Sequence, residues 1–78
     1  MEDYKERLVK EYQELTERIE KLANYLEIRS IELSTPEAEL TDEEFEYFCL
    51  MFQQLMHMSR YAKCLRMRAD ILNITLER

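Results

Sequence analysis

"RSIELSTPEAELTDEEF", residues 29–45, decides the fold. On either side the chain reads as continuous helix, and inside this stretch the pattern stops. The one proline of the chain, Pro36, lies here, and there is no glycine anywhere. Thr35-Pro36-Glu37 has the form of an N-cap followed by proline at the first helical position, so a short helical turn is expected in the linker. Thr41 then caps a second long helix, with Glu44 as its reciprocal partner three residues on. Asp42, Glu43 and Glu44 fill the first turn, where carboxylates offset the positive end of the helix dipole.

Working back from the break, residues 3–28 form the first expected helix, with Asp3 and Glu6 able to act as a capping box. Leu8, Tyr12, Leu15, Ile19, Leu22 and Leu26 follow at alternating spacings of four and three. That is the single apolar stripe of a helix packed along another helix. Working forward, the second helix is expected over 42–76. Phe45, Phe48, Phe52 and Leu55 open its inner stripe, and Met58, Ala62, Leu65, Ala69, Leu72 and Leu76 continue it. Cys64, Met67, Ile71 and Ile74 make a second stripe, well round the helix from the first.

The expectation is an all-α protein of one domain, residues 1–78. It is an antiparallel two-helix hairpin with its linker over 29–41. At 1.5 Å per residue the helices are about 39 and 52 Å long. The shorter cannot cover both stripes of the longer. A chain of 78 residues has a thin core in a single copy. The hairpin is therefore expected to join copies of itself into a helical bundle, as a dimer or tetramer, with Cys64, Met67, Ile71 and Ile74 at the seam.

Composition excludes several roles. The net charge of −6 argues against a nucleic-acid polymer as partner. No apolar run is long enough to span a bilayer, and no signal peptide is evident. Cys49 and Cys64 lie about 22 Å apart on one helix, beyond disulfide reach, and read as reduced, buried thiols of a cytosolic protein. His57, the lone histidine, has no ligand partner at metal spacing. No catalytic residue, metal or cofactor is expected.

Charge is unevenly spread. Residues 30–47 carry seven acids and no base, whereas residues 48–78 carry five bases and two acids. If Leu26 faces the Thr41–Phe45 turn, Tyr4, Lys5 and Arg7 lie near residues 62–66. The free N–H groups of the first helix arrive at the same end. Tyr4, Arg7, Gln54, Arg60, Tyr61 and Arg68 are then candidates for a phosphate-containing ligand, arginine forks holding phosphate and tyrosine faces stacking on a base. A plainer account stands beside it, in which Arg60 and Arg68 pair with acids of the first helix and Tyr61 packs with its hydroxyl at the rim.

Two patterns carry a resemblance. One is Tyr4-x-x-Arg7-x-x-x-Glu11-x-x-x-Leu15-x-x-Arg18-Ile19-x-Lys21-Leu22. The other is Gln54-Leu55-x-x-Met58-x-x-Tyr61-x-x-x-Leu65-x-x-Arg68. Together they resemble a family of small tailed-phage and prophage proteins of the crAss-like phage type. The chain is also similar to small helical viral sponges that sequester the cyclic nucleotide signals of antiphage defence. The resemblance implies a phage-encoded, non-enzymatic accessory protein in the cytoplasm of a bacterial host. It would bind a cyclic di- or trinucleotide without chemistry. The alternative from the residues themselves is a protein-interaction module or inhibitor, docking a host or phage protein through the spare apolar face.

Overall fold

The computed structural model describes residues 3–35, 37 and 39–76. Its described residues hold two helices, α1 (Asp3–Glu32) and α2 (Asp42–Ile71), and no strand. They pack against each other as an all-α antiparallel hairpin. The rod measures 57 × 19 × 16 Å. Its radius of gyration, 16.7 Å, well exceeds the about 11.5 Å of a compact domain of this length.

The start of α2 is locally encoded. Thr41 Oγ1 accepts from the Glu44 backbone N–H at 3.1 Å, and the Thr41 backbone N–H donates back to Glu44 Oε1 at 3.4 Å. This is the capping box read from the sequence. The short helical turn expected at Thr35-Pro36-Glu37 rests on Pro36, which lies outside the described residues.

Both helix ends depart from expectation. The first helix does not stop at residue 28. It runs to Glu32, because nothing before Pro36 breaks a helix and the exposed Arg29–Glu32 pair, 2.9 Å apart, spans its last turn. Ser34 and Thr35 hydroxyls then donate to the Ile31 and Glu32 carbonyls and close the end. The second helix does not continue to residue 76. It ends at Ile71, because Asn73 takes φ 57°, a left-handed conformation that asparagine tolerates. Ile74 N–H donates to the Ala69 carbonyl at 2.9 Å and Asn73 N–H to the Asp70 carbonyl at 3.2 Å. These two bonds define a Schellman cap with asparagine in the usual glycine position. Residues 74–76 beyond it are not helical. Leu72, Ile74 and Leu76 are half-buried against the core while Asn73 and Thr75 are exposed.

The core is confined to one half of the rod. Leu8, Tyr12 and Leu15 of α1 meet Leu65 and Ala69 of α2, with Ile19, Met58 and Ala62 packed around them. Leu65 is 0% exposed. Arg66 donates to the Tyr12 hydroxyl and lies over its ring, 5.7 Å from the centroid. That hydrogen bond holds the Arg66 pKa above its ordinary value. Toward the loop, Leu26 is buried but stands outside this cluster. Phe45 and Phe52, expected on the inner stripe, are exposed. Stepping back from Met58 by three and four residues gives Leu55, Met51 and Phe48 as the inward positions, all half-buried, which turns Phe45 and Phe52 off the contact. Phe52 instead packs edge-on against Phe48, ring centroids 5.0 Å apart. The thiols are also less covered than expected: Cys49 is half-buried and Cys64 exposed.

Candidate functional site

Across the hairpin Tyr61 meets Glu11 and Arg66 meets Tyr12, somewhat further along α1 than a register with Leu26 opposite the Thr41–Phe45 turn would give. The sequence then repeats every seven residues in both directions from the Glu11–Tyr61 contact. Tyr4, Glu11, Arg18 and Tyr25 share one flank of α1. Tyr47, Gln54, Tyr61 and Arg68 share the matching flank of α2. In a two-helix pack such positions border the apolar seam on the same side.

An open groove of about 380 Å³ runs along this flank, lined by Arg7, Lys10, Glu11, Glu14, Leu15, Arg18 and Tyr61. A second depression shares Arg7 and Lys10 and adds Asp3 and Glu6. The Tyr61 hydroxyl donates to the Glu11 carboxylate, which fixes the phenol across the two helices. That bond is the main reason the Tyr61 pKa lies above 10.0. The neighbouring Arg68 and Arg18 charges pull it the other way. With 44% of the residue exposed, Tyr61 offers a ring face to a ligand. Arg18 reaches Glu14 at only 3.9 Å, an exposed pair that contributes little and leaves the guanidinium available for exchange.

The candidates from the sequence divide accordingly. Arg7 and Tyr61 line the groove, and Arg68 lies close enough to Tyr61 to influence its titration. Arg7 Nε also donates to the Asp3 carbonyl at 3.4 Å. Gln54 is on the flank, its amide reaching Met58 Sδ at 3.9 Å. Tyr4 is on the flank nearer the chain start, with Lys5 6.0 Å from its ring centroid. Arg60 is one residue from Tyr61, a rotation of about 100° around α2, and does not line the groove. Lys10, Glu11, Glu14 and Arg18 were missed as site residues. The signal was the seven-residue step from Glu11 to Arg18 opposite Tyr61, legible only once the register is known. Of the expected seam residues, Met67 and Ile71 are exposed on α2, whereas Ile74 leaves the stripe at the Schellman cap and packs on the chain's own core.

Among the described residues no group of three or more His, Cys, Asp or Glu side chains is placed to hold a metal ion. Among the described residues no helix is long and apolar enough to cross a membrane. No curated protein and no solved structure matches the chain. One family profile does, over residues 2–71, a span that includes both helices and every residue of the groove. The name of that family points to sequestration, a role of binding rather than catalysis. The chain belongs to the Sequestin family.

Proposed function

We propose that the protein is a phage-encoded sponge. It binds a cyclic nucleotide immune signal of the cyclic di- or trinucleotide type, without chemistry, and so suppresses antiphage defence in the bacterial cytoplasm. The observation that carries this reading is the groove. A tyrosine ring held by Glu11 stands beside three cations, Arg7, Lys10 and Arg18. The ring stacks on a base, the cations hold phosphate, and Glu11 and Glu14 accept from base or ribose donors. Arg68 adds a fourth positive charge near Tyr61.

The test is a thermal-shift and calorimetry panel of cyclic and linear nucleotides. A ligand at about 100 times its Kd adds about 2.7 kcal/mol, a rise in Tm on the order of 10 °C for so short a chain. Tyr61→Ala and Arg18→Ala are expected to remove the shift with little change in the ligand-free Tm. No shift with any nucleotide of the panel removes the reading.

A further inference from the structure

The half of the hairpin nearest the loop is not finished as a protein surface. Tyr25, Ile28 and Ile31 of α1 are each at least half exposed, and Phe45, Tyr47 and Leu50 of α2 likewise. The buried cluster, by contrast, draws its members from the other half. The chain exposes 6397 Å², against about 5,100 Å² for a compact monomer of this mass. The excess, about 1,300 Å² over the whole rod, leaves room for the roughly 800 Å² that each partner contributes to a standard interface. A second copy supplies the missing surface in kind, since it carries the same deficit in the same place.

Charge fixes the direction. The loop tip, residues 37–46, carries Glu37, Glu39, Asp42, Glu43, Glu44 and Glu46 and no base. Parallel pairing would set two such tips side by side, a like-charge contact. The middle of α2 carries Arg60 and Lys63 and no acid between residues 55 and 68, whereas the matching stretch of α1 mixes Arg18 and Lys21 with Glu14, Glu17 and Glu20, so the basic mid-section is that of α2. We infer that two copies pair antiparallel through their loop halves, with the twofold axis near Leu50, so that each acidic tip lies along the basic mid-section of its partner. In this arrangement residue 43 of one copy is level with residue 57 of the other, one turn from Arg60 of that α2. The result is a four-helix bundle over the loop halves, with the terminal halves, each with its own core, projecting at opposite ends. The seam differs from the Cys64–Met67–Ile71 stripe read from the sequence, and it does not depend on the identity of any ligand.

Sedimentation equilibrium of the full chain at tens of micromolar is expected to give twice the 9.6 kDa mass. Leu50→Glu is expected to weaken dimerisation at least about tenfold, whereas Ile71→Glu leaves it within about twofold. Circular dichroism on the same samples reports whether each variant keeps its helices. Orientation is read independently from nitroxides placed at Glu43→Cys in a Cys49→Ser, Cys64→Ser background. Antiparallel pairing sets the two labels about 20 Å apart along the helix axis, and parallel pairing sets them side by side. A monomeric wild type, including one that docks a different protein through the same face, overturns the inference. So does a dimer broken by Ile71→Glu but not by Leu50→Glu, or a pair of adjacent labels.

Discussion

The two ends of this hairpin are made from the same pair of helices and behave as different materials. At the terminal end Leu8, Tyr12 and Leu15 interlock with Leu65 and Ala69, and the non-helical tail adds Ile74 and Leu76 as a further layer. At the loop end the same two helices run on, yet among the described residues Leu26 is the one buried side chain there and large apolar groups face outward. Two helices alone have a single line of contact, so each buries only the side chains on that line. The terminal end gains a third element when the Schellman cap turns the chain back. Among the described residues the loop end has no such element of its own. A two-helix pack becomes a stable core when something lies across it.

The largest expected effect tests that contrast directly. Leu65→Ala removes a side chain that is 0% exposed and should cost about 3 kcal/mol by denaturant unfolding. Phe52→Ala at 42% exposure should cost less than about 1 kcal/mol when measured at concentrations low enough for the free chain. Equal costs would dissolve the distinction between the halves. Next come the two caps, one at each end of α2. Thr41→Ala should cost about 1 kcal/mol through loss of the hydroxyl acceptor for Glu44 N–H. Asn73→Ala should cost about as much, because alanine carries the full penalty of the left-handed region, roughly 1 kcal/mol, while Asn73→Gly should be neutral or stabilising. Thermal melts of the three variants separate these outcomes.

The smallest effect concerns the groove. Tyr61 holds its proton above 10.0 because its hydroxyl donates to Glu11. A raised folded-state pKa means that this contribution to stability is complete below the unfolded value. It is lost as pH rises from there through the folded one. Absorbance titration near 295 nm should show one tyrosine ionising late in the wild type and earlier in Glu11→Gln. An unchanged titration would mean that the Glu11 contact does not fix the ring in solution.

Much of this was legible in the residues. Spacings of three and four identify both helices, and Thr41 with Glu44 marks where the second begins. The antiparallel pairing follows from a short connection between two helices that each carry an inward apolar stripe. Three things were not legible, each for a physical reason. The end of α1 has no stop signal before Pro36, so its extra turn at 29–32 is invisible to pattern alone. Asn73 is a cap only if the next residue packs back, and Ile74 reads equally well as the continuation of a helical stripe. The groove combines residues from two helices whose relative height pattern alone does not give. Arg7, Tyr61 and Arg68 stand out in the sequence by their chemistry, while Lys10 and Arg18 resemble any solvated charge until they are seen beside Tyr61.

The capping box at Thr41 has a bearing on how such a protein can change over generations. Because the first turn of α2 is specified by Thr41 and Glu44 themselves, the helix does not need the preceding loop to tell it where to start. Insertions or deletions within residues 33–40 therefore leave the identity of the inward face intact. The helices can re-seat against each other by whole heptads, carrying Tyr61 from one α1 neighbour to the next at the same flank. Loop length becomes a coarse adjustment of which cations stand beside the tyrosine.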